Sequence, residues 1–198
     1  RGVVVSAGHS LATFDEAAAG FDSGARYATH LFNAMPTLHH REPGLAAAAL
    51  ADPRVVVGLI PDGLHVHPAL VRLVWQLLGP DRLNLVTDAM AAMGMDPGEY
   101  LLGDFRVTVD AGSARLDDGT LAGCVLSLDA SLRAFMAFTG AALADVLPTV
   151  TTTPARLLGL GEQLGRVAPG HVADLVLLTP DLRVVETFVC GVPVYRAD

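Results

Sequence analysis

Three histidines and one aspartate follow four short β-branched runs of the sequence, and each of these side chains can bind a metal or move a proton. His9, His30, His65 and Asp88 are separated by 21, 35 and 23 residues, spacings that suit successive strand–helix units. Parallel strands open their carboxyl ends on one face of a sheet or barrel, where active sites lie. We therefore expect these four side chains to converge in space.

Such a set of side chains supports metal-assisted hydrolysis. Neutral imidazoles are ligands for Zn²⁺ or Fe²⁺, and a bound divalent ion acidifies a water and polarises a carbonyl. Asp88 is the only carboxylate of the four, and it is suited to take the proton of that water and pass it to a leaving amine. Taken singly, each residue also has a structural explanation: a histidine can be a hydrogen-bonded core residue, and Asp88 can cap a helix.

An alternation of strands and helices is expected to position these residues. The predicted strands are 3–6, 27–29, 55–60 and 83–86, and the predicted helices are 13–20, 44–51 and 68–78. Thr13 and Glu16 form a capping-box pattern, and Pro68 suits a first helical turn. The strands are apolar throughout, as in sheets that are covered on both faces. This order favours an α/β fold with parallel strands.

The second half of the chain has a different pattern. Residues 100–109 and 114–121 predict a β-hairpin inserted at about 100–122, because Asp117, Asp118 and Gly119 are turn-forming residues. Helices are predicted at 126–138, 141–150 and 153–158, and short strands at 172–178, 184–188 and 192–195. The last three strands indicate a small C-terminal β subdomain.

The composition restricts the classes of function. The 198 residues are 52% apolar, so the chain can bury a large core. A net charge of −8 argues against nucleic acid as a partner, whereas a small phosphate needs only one or two of the 13 basic residues, all of them arginine. Cys124 and Cys190 match no metal or redox spacing. We find no apolar run of about 20 residues and no signal peptide, and we expect a cytoplasmic protein without a membrane partner.

Seven motifs extend through nearly the whole chain. The most specific are Thr-His-Leu-Phe-Asn-Ala-Met-Pro at 29–36 and Arg-Glu-Pro-Gly at 41–44. The others lie at 6–10, 62–65, 85–90, 119–123 and 165–175. Together they resemble the N-acetylglucosamine-6-phosphate deacetylases, a family of the amidohydrolase superfamily.

The resemblance implies a fold and a reaction. Residues 1–160 would form the C-terminal half of a TIM-type (β/α)8 barrel, strands five to eight, with the hairpin inserted at about 100–122. Residues 161–198 would supply the C-terminal strands of a small β-sandwich subdomain. The implied reaction is hydrolysis of the acetamide of N-acetylglucosamine 6-phosphate to glucosamine 6-phosphate and acetate, with one or two divalent ions, Zn or Fe, in a homodimer.

The resemblance also implies a role for each matching residue. His9 and His30 would be metal ligands, and Asp88 the general base and then the general acid. The implied substrate contacts are His65 for the sugar, Asn33 and Ala34 for a phosphate cradle, Arg41 for a phosphate clamp that reaches into the neighbouring subunit, and Leu121 near the acetyl group.

The family has further site residues that would lie upstream of Arg1: another metal ligand (a Glu), a substrate-facing His and the first four strands. We therefore expect the natural chain to begin further upstream, and the 198 residues alone to bind metal poorly and to be inactive. Two alternatives stay open. One is another amidohydrolase that acts on a cyclic amide, although Arg41 and the Asn33–Ala34 segment favour a phosphate. The other is a non-catalytic fragment that binds a sugar phosphate and needs no metal.

Overall fold

Four parallel strands form the sheet that carries the candidate residues. In the computed structural model, which describes residues 2–110 and 112–197, they are β1 (Ser6–Ala7), β2 (Tyr27–Ala28), β3 (Val56–Leu59) and β4 (Leu83–Leu85). Each pairs in parallel with the next one along the chain. The predicted α/β arrangement is confirmed. The strands β2, β3 and β4 lie within their predicted ranges, whereas β1 begins at the last residue of its predicted range, 3–6, and ends one residue beyond it.

Three helices connect these strands: α1 (Phe14–Asp22), α2 (Gly44–Ala51) and α3 (Pro68–Arg82). The capping box at Thr13 is confirmed, because its hydroxyl accepts the N–H of Glu16 while the Glu16 carboxylate accepts the N–H of Thr13. The third helix extends past its predicted end through a kink at Gly79, where φ is 60°. A glycine adopts this φ without steric cost, so the chain turns there before Pro80.

The apolar faces of the sheet and of the helices form one core. Val57 and Leu59 of β3 are fully buried, as are Phe21 of α1 and Leu45 of α2. Arg82 at the end of α3 donates to the carbonyl oxygens of Ala49 (2.9 Å), Leu50 (3.2 Å), Asp52 (2.6 Å) and Val55 (3.1 Å). This guanidinium therefore bonds to carbonyls at the end of α2 and in the turn that leads to β3.

A three-stranded antiparallel sheet follows β4, formed by β5 (Gly98–Leu102), β6 (Phe105–Asp110) and β7 (Ser113–Leu116). The prediction of a single hairpin here is wrong. The predicted strand 100–109 is divided by a turn at Gly103, where φ is 59°, so the insertion is a meander. Val107 and Ala114 are buried in a second core that includes Met90, so this sheet packs on the segment that follows Asp88.

Three α-helices complete the first part of the chain: α4 (Leu128–Thr139), α5 (Leu143–Val146) and α6 (Thr152–Leu157). The single helix predicted at 141–150 is wrong. It changes to a 3-10 helix at Leu147–Val150, because Pro148 has no N–H for an α-helical bond. Within the described residues no single helix is long and apolar enough to cross a membrane; the helical stretches Leu128–Thr139 and Leu143–Leu157 have that composition only as a pair bent by 117°.

The C-terminal strands form a separate antiparallel sheet in the order β10-β9-β8. They are β8 (Leu175–Leu178), β9 (Val184–Val189) and β10 (Val192–Arg196), which confirms the predicted strands. The described residues supply one layer of the predicted β-sandwich, and the sandwich itself stays a prediction.

Candidate active site

The structure brings His9 and His30 into direct contact. They follow the paired strands β1 and β2, and their Nε2 atoms lie 2.9 Å apart. The two rings are arranged edge to face, with centroids 4.7 Å apart and planes inclined by 69°. His9 is exposed, whereas His30 is buried. The expected convergence of these two side chains is confirmed.

This pair fits part of a metal site. Two nitrogen ligands at about 2.0–2.1 Å from a tetrahedral ion lie about 3.3 Å apart, so a shift of a few tenths of an ångström would admit an ion between the rings. Nδ1 of His30 is buried without a hydrogen-bond partner in the described part of the chain, although a metal-binding histidine normally donates through its second nitrogen. Residues 2–110 and 112–197 contain no group of three or more such ligands. In these ranges the pair could therefore offer at most two nitrogen ligands to an ion.

A glycine before His9 allows the two strand ends to meet. A Cβ atom on Gly8 would lie 2.3 Å from Cγ2 of Thr29, the residue before His30. Real side chains do not approach so closely, so only glycine fits beside this threonine without a backbone shift. Sequence reasoning did not assign Gly8 a role, and its position directly before a candidate ligand was the available signal.

Backbone strain is concentrated at this site. Seven described residues other than glycine have positive φ, and five lie at or beside the candidate positions: His9 (48°), His30 (25°), Phe32 (74°), Ala34 (52°) and Asp88 (51°). Such conformations cost on the order of 1–3 kcal/mol each and persist where the surrounding structure enforces them, commonly at functional sites. The strain therefore supports a functional role for the turns that follow β1, β2 and β4.

The segment after the meander fixes the backbone of Asp88. The N–H of Cys124 donates to the carbonyl of Asp88 at 2.9 Å, and the N–H of Met90 donates to the carbonyl of Cys124 at 2.9 Å. Gly123 has a φ of +85°, and a Cβ atom there would lie 3.0 Å from the Asp88 carbonyl oxygen. Asp88 stays exposed, so its carboxylate is accessible while its backbone is held.

His65 is paired with a carboxylate that sequence reasoning did not single out. Nδ1 of His65 lies 2.6 Å from Oδ2 of Asp62, and the two side chains are only 6% and 5% exposed. Burial alone would raise the pKa of Asp62, but the hydrogen bonds from the His65 ring and from the N–H groups of His65 and Leu64 outweigh it and lower that pKa. The available signal was an aspartate three residues before the histidine, in a turn that contains Gly63.

Asn33 orders the turn that follows His30. Its side-chain amide donates to the carbonyls of His30 and Leu31, both at 3.2 Å, and its N–H donates to the His30 carbonyl at 3.0 Å. These donors are therefore engaged within the turn in this structure. The neighbouring Ala34 is exposed, with a φ of 52°.

No hydrogen bond in the described ranges joins Arg41 or Leu121 to the histidine pair. Arg41 is exposed, and its guanidinium lies 2.7 Å from Nε2 of His40. Leu121 is half-buried and pairs with Arg115 of β7. Their roles in binding substrate stay predictions.

Comparison with known proteins identifies the family. A sequence model of the amidohydrolase family matches residues 1–194. The chain belongs to the amidohydrolase family. Proteins of this family depend generally on a divalent metal, and the neighbours described below are TIM barrels of which this chain matches about half.

Individual relatives carry the names of sugar-phosphate deacetylases. The chain is 41% identical over 191 residues to an N-acetylgalactosamine-6-phosphate deacetylase of Escherichia coli O157:H7, covering 96% of this chain and 50% of that protein. It is 38% identical over 189 residues to an N-acetylglucosamine-6-phosphate deacetylase of Bacillus subtilis, covering 96% of this chain and 48% of that protein. This chain thus spans about half the length of the curated relatives it matches.

Solved structures agree with the sequence relatives. The fold matches an N-acetylglucosamine-6-phosphate deacetylase of Thermotoga maritima with a TM-score of 0.94 at 40% identity, over 100% of this chain and 54% of that one. It also matches an Asp-to-Ala variant of the Mycobacterium smegmatis deacetylase in complex with N-acetyl-D-glucosamine-6-phosphate, with a TM-score of 0.90 at 43% identity, over 96% and 51%. The resemblance inferred from the motifs is confirmed.

Proposed function

We propose that the protein containing this chain hydrolyses the acetamide of N-acetylglucosamine 6-phosphate to glucosamine 6-phosphate and acetate. The observation that carries this proposal is the 2.9 Å contact between the Nε2 atoms of His9 and His30 at the carboxyl ends of adjacent strands. Chains with 40% and 43% identity and the same fold are deacetylases of this sugar phosphate.

His9 and His30 are the proposed metal ligands of this chain. Both offer imidazole nitrogens, which suit Zn²⁺ or Fe²⁺. We propose that ligands outside these 198 residues complete the coordination of one or two ions. When bound, the ion supplies polarisation of the acetyl carbonyl and lowers the pKa of the attacking water. Alone, two ligands bind an ion weakly, and this is the reason to propose that the isolated chain is inactive.

Asp88 is the proposed general base and then general acid. Its carboxylate is exposed, whereas its backbone carbonyl is held by the N–H of Cys124 at 2.9 Å. It takes a proton from the water that attacks the acetyl carbon, and it then gives that proton to the sugar nitrogen as the C–N bond breaks. The products are therefore acetate and a free amine.

The remaining predicted residues are proposed to bind the rest of the substrate. His65 contacts the sugar ring, and Leu121 lies near the acetyl group. The turn at Asn33 and Ala34 binds the phosphate together with Arg41 of a neighbouring subunit. The Asn33 donors bond within their own turn, so Ala34 supplies the available N–H of this cradle. The same proposal includes a homodimer and a cytoplasmic location. It also identifies β1 to β4 as barrel strands five to eight.

N-acetylgalactosamine 6-phosphate is a second candidate substrate. The E. coli O157:H7 relative named for this sugar is 41% identical, and the B. subtilis relative named for the glucose epimer is 38% identical. The two sugars differ in the configuration of one ring hydroxyl, which a few side chains can distinguish. The alternative of a cyclic-amide hydrolase has no comparable support.

A substrate comparison on the intact, metal-loaded protein tests the proposal. Acetate release is measured with both epimeric sugar phosphates, with unphosphorylated N-acetylglucosamine and with a dihydropyrimidine-type cyclic amide. We expect the highest kcat/KM for N-acetylglucosamine 6-phosphate and a large loss without the phosphate. Preference for the galactose epimer would select the second candidate, and activity on the cyclic amide alone would contradict both.

A further inference from the structure

Asp62 is a buried carboxylate to which the proposed reaction gives no role. Oδ1 accepts the N–H groups of Leu64 at 2.9 Å and of His65 at 2.8 Å. Oδ2 lies 2.6 Å from Nδ1 of His65 and 3.7 Å from Sγ of Cys124. Four donors therefore surround a side chain that is only 5% exposed, and together they fix its orientation.

Cys124 connects this carboxylate with Asp88. Its side chain is buried, and burial raises the pKa of the thiol, so the sulfur keeps its proton and can donate to Asp62. Its backbone exchanges hydrogen bonds with Asp88 and Met90. One residue thus contacts the proposed base through its main chain and the Asp62–His65 pair through its side chain.

The pairing with Asp62 determines which ring nitrogen of neutral His65 carries the proton. An ionised carboxylate only accepts hydrogen bonds, so Nδ1 of His65 must be the donor. Nε2 then has a free lone pair, and no residue in the described ranges bonds to it. A lone pair is complementary to a hydroxyl group, which donates a hydrogen bond, and not to a phosphate oxygen, which accepts one.

We propose that Asp62 and Cys124 are positioning residues that hold His65 as its Nδ1–H tautomer and so present Nε2 to a hydroxyl of the bound sugar. This inference rests on the proposed function for the identity of the sugar, but the tautomer can be measured without any assay of activity. His65 in this arrangement selects for the sugar ring, and the phosphate is bound elsewhere in the site.

The variant Asp62→Asn should reverse the tautomer. The two backbone N–H groups require an oxygen at the position of Oδ1, so the asparagine NH2 group must occupy the position of Oδ2 and face Nδ1 of His65. Nδ1 then becomes an acceptor, and the proton moves to Nε2. The same substitution acts through the same tautomer change in Ser-His-Asp triads, where the geometry is preserved.

The experiment uses the intact, metal-loaded protein with 15N-labelled histidine. Long-range 1H–15N spectra are recorded at alkaline pH, where free imidazole is neutral, and His65 is assigned by comparison with His65→Gln. We expect the Nδ1–H form in the wild type and the Nε2–H form in Asp62→Asn. KM for the amino-sugar 6-phosphate should rise by about tenfold in this variant because the sugar hydroxyl can no longer donate to Nε2, with a smaller change in kcat.

Two further variants make the test specific. Asp117→Asn removes an exposed carboxylate of the meander and should change neither the spectrum nor KM. Cys124→Ala removes only the thiol and should raise KM by about two- to fivefold. If Asp62→Asn does not fold, the KM of Cys124→Ala tests the positioning role by itself. A wild-type tautomer together with an unchanged KM in the variants would overturn the inference. An Nδ1–H signal in a wild-type protein that hydrolyses neither sugar phosphate would contradict the proposed function and leave the positioning role intact.

Discussion

His9, His30 and Asp88 share a backbone conformation that is uncommon for residues other than glycine, with φ between 25° and 51°. Each follows a strand of the parallel sheet, so the strain falls where the strands end and the turns begin. Neighbouring hydrogen bonds enforce it, as the Cys124 segment does for Asp88. The conformational cost of these φ values is consistent with a functional role for the three residues.

Asp88→Asn isolates the proposed proton transfer. The amide cannot act as a base, so we expect kcat to fall by about 10²–10⁴-fold. The melting temperature should stay unchanged, because Asp88 is exposed and its backbone bonds do not involve the side chain. Steady-state kinetics and thermal unfolding of the intact protein check both parts. Wild-type kcat in the folded variant would exclude Asp88 as the base.

Gly8→Ala should separate the two histidines. The added methyl would lie 2.3 Å from Cγ2 of Thr29, and overpacking of this kind costs about 1–3 kcal/mol. We expect lower stability and a lower metal content, measured by urea unfolding and by elemental analysis. The double variant Gly8→Ala with Thr29→Ser removes the clashing methyl and should recover both properties. Equal losses in the single and double variants would show that the contact is not the cause.

At the scale of elements, the C-terminal end of α2 is stabilised by charge. Arg82 bonds to four main-chain carbonyls around it. Asp52, the C-cap residue, accepts hydrogen bonds from Arg54, and this side-chain contact lowers the pKa of Asp52 from 3.8 to about 2. The helix is Ala-rich and contains no basic residue of its own in its last turn, so these two arginines complement its end.

The Asp52 contact should appear in the acid dependence of stability. Because the folded pKa is about 2 and the model value is 3.8, the contribution is fully present above pH 4 to 5 and is lost as the pH falls towards 2. The difference in free energy of unfolding between wild type and Asp52→Asn should therefore be constant near neutrality and shrink between pH 4 and pH 2. Urea unfolding at several pH values measures it. A difference independent of pH would contradict the ion pair.

Periodicity and cap chemistry predict the elements that are governed by local interactions. The capping box at Thr13 and the helix Gly44–Ala51 are found as predicted, because helix start signals depend on residues close in sequence. The turn at Gly103 and the change to a 3-10 helix before Pro148 were missed. In both places a single Gly or Pro within the predicted element decides the structure.

Candidate residues at strand ends could likewise be predicted, since parallel strands align their ends. The contacts that their supporting residues make could not. Gly8 matters only because Thr29 lies beside it, and Asp62 is linked with Cys124, 62 residues away. Contacts of this kind depend on tertiary packing and leave no periodic signal in one sequence.

At the scale of the whole molecule, the chain spans about half the length of the relatives that it matches. It covers 50%, 48% and 54% of three deacetylases that it matches, and two of its described residues, His9 and His30, are the proposed metal ligands. Catalytic zinc normally has three protein ligands. We therefore expect the isolated 198 residues to lose metal during gel filtration, whereas the intact protein retains it. Elemental analysis of both preparations measures this, and tight binding by the isolated chain would show that its own residues complete the site.

The most direct test of metal-dependent deacetylation is acetate release from N-acetylglucosamine 6-phosphate by the intact protein before and after chelation. We expect activity that a chelator abolishes and that added Zn²⁺ or Fe²⁺ restores, and no restoration in a His9→Ala, His30→Ala double variant. Full activity in the metal-free protein, or no acetate from the metal-loaded wild type, would contradict the assignment of His9 and His30 to a catalytic metal site.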